Sequence, residues 1–309
     1  MAQMETKKKL YSMNFLNLTN NRSLKLQKTL RYPIWCRSIG VHSGKICEVH
    51  LKPAPASTGI TFVVDNGLSR SSPISATWRN SRPSAMRTTL VGNNGEELNT
   101  IEHLMSALSV CSIDNVEIIV HGNELPILDG SAHDWMFLLE CAGYIEQSIP
   151  KTSIIITNTI RVENTHGWIE ISPNDCFNVE YEINYDHPLI PVETFIINVT
   201  PKTYIKDIAR ARTFGFESDA IYIKKHGLAQ GASLKNTVVF DKHSVMNVEG
   251  LRWSNEPVRH KILDMIGDLY LAGAPIIGKV RGYCSGHALN HKLVETLMTT
   301  PSAWRLSNA

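Results

Sequence analysis

Twice along the chain a run of strand-like alternation gives way to helix-like periodicity. The two runs meet at residues 147–152, where Pro150 interrupts the pattern. In the first run, residues 46–51 and 60–64 alternate as strands around a turn at 52–59, and 116–120 is a further strand. Apolar side chains at Ile101, Leu104, Met105 and Leu108 predict a helix over 101–111, with Thr100 as its cap. A second helix is expected from the turn at 128–131 to about Cys141. The second run has strands at 154–157, 167–171, 177–183 and 194–199, then helices near 202–210, 218–225 and 256–272. A strand at 276–283 and a helix at 288–298 close the chain. Strands followed by helices, twice over, predict an α+β fold of two layered domains, 29–148 and 152–309. A chain of 309 residues can bury the cores this requires without metal or disulfide staples.

Composition excludes several classes. With 31 basic against 29 acidic residues the net charge is +2, too even to favour nucleic acid or an anionic surface. No apolar run reaches the roughly 18 residues of a membrane span. The six cysteines (36, 47, 111, 141, 176 and 284) form no CxxC pair and read as reduced thiols. Residues 1–28 lack a secretory apolar segment but are rich in Lys, Asn and Ser. They read as a disordered extension or the product of an early start codon, with an organellar transit peptide as the other reading.

Three short stretches could carry chemistry. In a helix, His260, Asp264 and Asp268 share one face at one-turn spacing. A histidine and a carboxylate so placed can share a cation, or merely satisfy each other on a semi-exposed surface. Glu102 and His103 stand at a helix start, where the dipole favours an ionised carboxylate. They could supply a base and a ligand, or simply a surface Glu and a core-edge His. His287 follows Gly286 at a strand-to-helix junction, suited to a site rim or to a structural hydrogen bond. His42 lies in a loop between Gly40 and Gly44, which could bring it near a ligand. The other histidines, His50 and His121 among them, have no ligand partner at suitable spacing along the chain. Neither phosphate-loop fingerprint nor a GxSxG elbow occurs.

Together with their surroundings these stretches resemble one family, the zinc-dependent UDP-3-O-acyl-N-acetylglucosamine deacetylases of lipid A biosynthesis. The matching segments are SIGVHSG (38–44), TIEHLMSAL (100–108), SIDNVEI (112–118), ELPILDGSA (124–132), ARTFGF (211–216), GLAQGAS (227–233), VRHKILDMIGDLYL (258–271) and SGHALN (285–290). They follow the family's order over about residues 29–300. The resemblance implies two similar α+β domains, each a small sheet with paired helices, packed with the helices facing each other around the active site. It implies His103, His260 and Asp264 as ligands of Zn2+, a site that Fe2+ could also occupy. Glu102 would be the general base, and His287 the cationic histidine held by Asp268. Thr213 would assist at the carbonyl oxygen. Lys261, Phe214, Phe216 and His42 would contact an acylated UDP-amino-sugar. The implied reaction is release of acetate from the N-acetyl group, with His287 or Glu102 protonating the leaving amine. A non-catalytic relative that binds the same sugar nucleotide is the alternative. A two-His-one-carboxylate set also occurs in non-heme iron oxygenases, but the surrounding motifs do not match that fold. The implied setting is a monomer in a Gram-negative cytoplasm, with at most peripheral contact at the inner membrane face.

The chain departs from the family pattern at two positions. Cys284 stands where a basic residue is usual, so diphosphate binding should weaken unless Arg281, on the same strand, compensates. Ile39 stands where glycine is usual.

Overall fold

The computed structural model describes residues 25–307. The expected extension lies outside the described residues as far as residue 24. Its last part is structured: Leu26–Leu30 is a strand antiparallel to Tyr144–Pro150. Thr29 and Leu30 are buried, and Thr29 Oγ1 accepts the Ala54 N–H at 2.9 Å. Pro150 ends that strand.

The fold is α+β. Six α-helices occur among the described residues: α1 (Glu102–Val110), α2 (His133–Ala142), α3 (Pro201–Asp207), α4 (Glu217–Lys225), α5 (Glu256–Leu269) and α6 (His287–Met298). A five-stranded sheet runs Ile34–Ile39, Ile46–Pro53, Val116–His121, Ile60–Asp65, Ile74–Ser75 in spatial order. A seven-stranded sheet is built around Ile276–Tyr283, which pairs antiparallel with Trp168–Ser172 and parallel with Phe177–Ile183. Smaller sheets join Ser81–Ser84, Arg87–Val91 and Glu97–Asn99, and, in parallel, Phe214–Phe216 and Val238–Phe240. One apolar core includes residues of both large sheets and of helices α1, α2, α5 and α6.

Local chemistry accounts for the helix ends. Pro257 occupies the first turn of α5, where its missing N–H costs nothing. The helix tightens into a 3-10 turn at Tyr270–Ala272 and stops at Gly273. Thr200 caps α3 through a capping box with Thr203. That helix ends earlier than its apolar pattern suggests, because residues 208–211 turn away and use their carbonyls elsewhere. Ala209 accepts from Ala132 N–H, and Ala211 faces His260. The expected cap at Thr100 is not made. Thr100 sits at φ 61°, and its hydroxyl donates to Glu124 Oε1 at 3.1 Å, so α1 begins without a side-chain cap. The helix expected from 128–131 starts only at His133, because Asp129 folds that segment into a turn by accepting from Ser131.

Helices α1 and α5 pack against each other, and α2 and α6 flank them. The crossing is close because α5 presents Gly267 to the backbone of α1. A Cβ there would lie 2.0 Å from the Glu102 carbonyl oxygen. We expect Gly267→Ala to push the helices apart and to cost about 1–3 kcal/mol, the usual toll of overpacking. Denaturant titration should show a lower midpoint with an unchanged slope. A wild-type midpoint would show that the helices can separate freely.

Candidate active site

The α1–α5 crossing brings His103 from one helix against His260 and Asp264 from the other. All three are buried. The two imidazoles meet edge to face, centroids 5.0 Å apart, and the Nε2 of each lies 3.4 Å from Asp264 Oδ1. His260 Nδ1 donates to the Ala211 carbonyl at 3.0 Å, which leaves the Nε2 lone pair pointing at the carboxylate. Asp264 Oδ2 accepts from Lys261 Nζ at 2.7 Å, whereas Oδ1 is buried without an aligned hydrogen bond. An orphaned carboxylate oxygen between two imidazole nitrogens is costly unless a cation completes it. Two histidines and one aspartate fit a divalent metal of borderline character, with room for a further ligand.

The charges are arranged for that use. Burial alone would raise the Asp264 carboxyl, but the Lys261 ammonium beside it holds it well below the usual carboxylate range. Burial pushes the His260 imidazole down to about 3, so it stays a neutral donor. Both effects keep the ligands in the protonation states a metal needs.

Beside this group, Asp268 organises a second one. Its Oδ2 accepts from His287 Nδ1 at 2.8 Å and from Asn290 Nδ2 at 2.9 Å, and its Oδ1 accepts from the Thr88 hydroxyl at 2.6 Å. His287 Nε2 points onward to Glu102 Oε1, 3.9 Å away, and Glu102 Oε2 accepts the Thr88 N–H at 3.2 Å. Burial opposes charge on His287, yet the Asp268 carboxylate outweighs it and lifts the imidazole to about 9. Burial raises Glu102, with His287 and His103 partly offsetting it. A base shifted upward next to a cation that stays charged at neutral pH is a workable pair for proton transfer.

Both groups open on one cavity of about 490 Å³. Thr213, Phe214, Phe216, Lys261, His42 and Tyr185 line it. The Phe214 ring packs edge to face on His260, centroids 6.2 Å apart, and Lys261 Nζ lies 5.7 Å above it. An adjoining cavity of about 310 Å³ is mostly apolar, walled by Ala220 and Ile223 of α4 with Val239 and Met246. His42 borders both cavities. Its backbone N–H and that of Ser43 donate to the two oxygens of Glu124, each at 2.8 Å. Gly40 makes room for that carboxylate, since a Cβ there would fall 2.3 Å from Glu124 Oε2.

Residues 27–299 match the family model of LpxC, UDP-3-O-acyl N-acetylglycosamine deacetylase. The chain belongs to this family. Among its relatives, a protein named UDP-3-O-acyl-N-acetylglucosamine deacetylase from Acidithiobacillus ferrooxidans is 41% identical over 284 residues, 90% of this chain and 91% of the relative. Proteins of the same name from Oleidesulfovibrio alaskensis and Shewanella pealeana are each 42% identical. Those alignments cover 88% of both chains for the former, and 91% of this chain and 92% of the relative for the latter.

Within this LpxC-family chain, the residues expected from sequence as ligands, catalytic groups and substrate contacts all border the cavity except Asp268, which touches His287. Arg281 does not compensate for Cys284. It points to the other face of its strand, where Nε lies 3.5 Å from Glu180 and the guanidinium covers Trp168. Cys284 itself lines the cavity at φ 45°. Ile39 keeps a backbone role, its carbonyl accepting from Ile127 N–H at 2.9 Å. Sequence reasoning missed Thr88, Asn290 and Glu124 as site residues. Asn290 and Glu124 lie inside recognised motifs without an assigned partner. Thr88 lies on a short polar strand with no periodic signal.

The Asp268–His287 pair has a titration signature. The folded pKa of about 9 exceeds the ordinary 6.5, so the pair's contribution to stability is complete below pH 6.5 and is lost as pH rises through 9. In metal-free protein, NMR should show His287 titrating near that upper value. Asp268→Asn should leave burial as the main influence and bring it below 6.5. A His287 titration unchanged by the substitution would remove Asp268 as the cause.

Proposed function

We propose that this chain is a metal-dependent hydrolase that removes the N-acetyl group of UDP-3-O-acyl-N-acetylglucosamine, releasing acetate, in lipid A biosynthesis. The observation that carries this reading is the buried His103–His260–Asp264 group, with its orphaned Asp264 Oδ1, facing Glu102 and His287 across one cavity. Family membership supports it. Zn2+ is the ion we assign, held by His103, His260 and Asp264; Fe2+ suits the same donors. Bound there, the cation would supply Lewis-acid activation of water and of the amide carbonyl.

The chain's own residues do the rest. Glu102 takes a proton from the attacking water. The Thr213 hydroxyl donates to the carbonyl oxygen as it gains charge. His287, kept cationic by Asp268, stabilises that charge from the opposite side. As the C–N bond breaks, the nitrogen takes a proton from His287 or from Glu102, giving acetate and the free 2-amine. Lys261, Phe214, Phe216 and His42 contact the sugar nucleotide, and the apolar cavity under α4 takes the acyl chain. In this reading residues 29–148 and 152–309 are two similar domains whose helix pairs, α1 with α2 and α5 with α6, face each other. The protein works as a monomer in the cytoplasm, touching the inner membrane face peripherally at most. Among the described residues no helix is long and apolar enough to cross a membrane.

The test is acetate release from UDP-3-O-acyl-N-acetylglucosamine by the purified protein, as isolated, after chelation, and after zinc is restored. Activity should vanish with the metal and return with it. Glu102→Gln should lower kcat by ~10²–10⁴, the range typical of a general base. Substrate binding without release by folded, metal-loaded protein would instead mark a non-catalytic relative.

A further inference from the structure

A second set of metal-capable side chains lies on the five-stranded sheet, on the face turned away from the core. Along Ile46–Pro53, Cys47, Val49 and Leu51 are buried, so Glu48 and His50 point to the opposite side. Glu48 pairs with His121 across the antiparallel neighbour, and His121 pairs with Asp65 across the parallel one. Glu48, His121 and Asp65 therefore form a row across three adjacent strands, with His50 beside it. Sequence spacing gave His50 and His121 no ligand partner; the sheet register brings them together. One ligand atom from each of Glu48, His50 and His121 lies within 4.8 Å of the others. His50 Nε2 is 2.8 Å from Glu48 Oε1, and His121 Nδ1 is 3.8 Å from Asp65 Oδ2. The two imidazoles stand edge to face with centroids 5.5 Å apart, and Trp35 stacks on His50 at 6.1 Å. None of these residues lines the cavity described above.

We propose that Glu48, His50 and His121 form a second site for a divalent transition-metal ion. Two imidazoles and one carboxylate favour Zn2+, Ni2+ or Cu2+ over Mg2+ or Ca2+, which demand mostly oxygen donors. Binding exchanges the His50–Glu48 hydrogen bond for two coordinate bonds, and the neutral His50 ring carries its proton on Nδ1 instead of Nε2, which frees Nε2 to ligate. Asp65 sits behind the His121 ring, where a carboxylate commonly orients a ligating histidine. The backbone under the site is fixed, since its strands are interior to the sheet. Half-exposed side chains leave positions for water, so this ion exchanges faster than one in the buried site.

The test uses the full-length protein and Ni2+ alone, titrated by calorimetry. Asp264→Asn weakens the buried site and should leave one equivalent bound. Adding His50→Asn and His121→Asn to that variant should weaken the remaining binding at least tenfold. With Cu2+ in place of Ni2+, the electron paramagnetic resonance spectrum of the Asp264→Asn protein should show imidazole nitrogen coupling that the triple variant loses. His50→Asn with His121→Asn in the otherwise unaltered protein should keep full deacetylase activity, which separates this site from the proposed reaction. Equal Ni2+ stoichiometry and affinity with and without the two histidines would overturn the assignment. So would equally tight binding of Mg2+.

Discussion

The approach of α5 to the backbone of α1, permitted by the bare Cα of Gly267 over the Glu102 carbonyl, sets the geometry of the site. Glu102 and His103 stand at the start of one helix, and His260, Asp264 and Asp268 descend one face of the other. A side chain in place of the glycine hydrogen would separate the two faces that carry the proposed cation ligands. The apolar residues around them, among them Leu104, Ile262, Leu263 and Ile266, are fully buried and keep the crossing dry. Dryness makes every polar contact there count for more, whether satisfied or not.

Burial is common to all the ionisable groups at the crossing, yet they diverge. His260 is driven neutral, Asp264 is held ionised by Lys261, and His287 is held charged by Asp268. Desolvation pushes each toward its uncharged form; a specific neighbour decides which group resists. A buried charge without such a neighbour would be expensive, and the same rule appears nearby. The Arg212 guanidinium is 2% exposed and is taken up by the almost fully buried Glu256 at 2.9 Å. That pair braces the segment carrying the Ala211 carbonyl, because Arg212 N–H also donates to Glu256. The orientation of the His260 ring is thus tied to an ion pair that never touches it.

Much of this was legible in the chain. The one-turn spacing of His260, Asp264 and Asp268 by itself places them on one helix face, and the long strands and helices are readable from their periodicity. Spacing could not show that the face is buried against α1, since that depends on a contact with residues far away in the chain. Motif order carried the rest of the site set. The misreadings have a common origin. Thr100 has the chemistry of a cap but spends its hydroxyl on Glu124, and Arg281 has the right charge on the wrong face of its strand. Residue type and local spacing describe what a side chain can do; its partner is chosen by tertiary structure. Thr88 and the Ala211 carbonyl illustrate the limit, one on a strand too short and polar to announce itself, the other a backbone atom with no signature of its own.

The proposed ligand set also has an order in time. His103 lies in the first part of the chain, and His260 and Asp264 lie far along the second, so no early segment contains all three of these residues. Ribosomal synthesis delivers the first histidine long before its partners. The ion can be captured only after α5 has emerged and docked on α1. Once captured, it favours the docked arrangement over any partly assembled one by mass action. With the ion held as proposed, maturation of this protein would be coupled to the supply of its metal at the last stage of folding, and starvation for that ion would be felt first as loosened packing between the two helices.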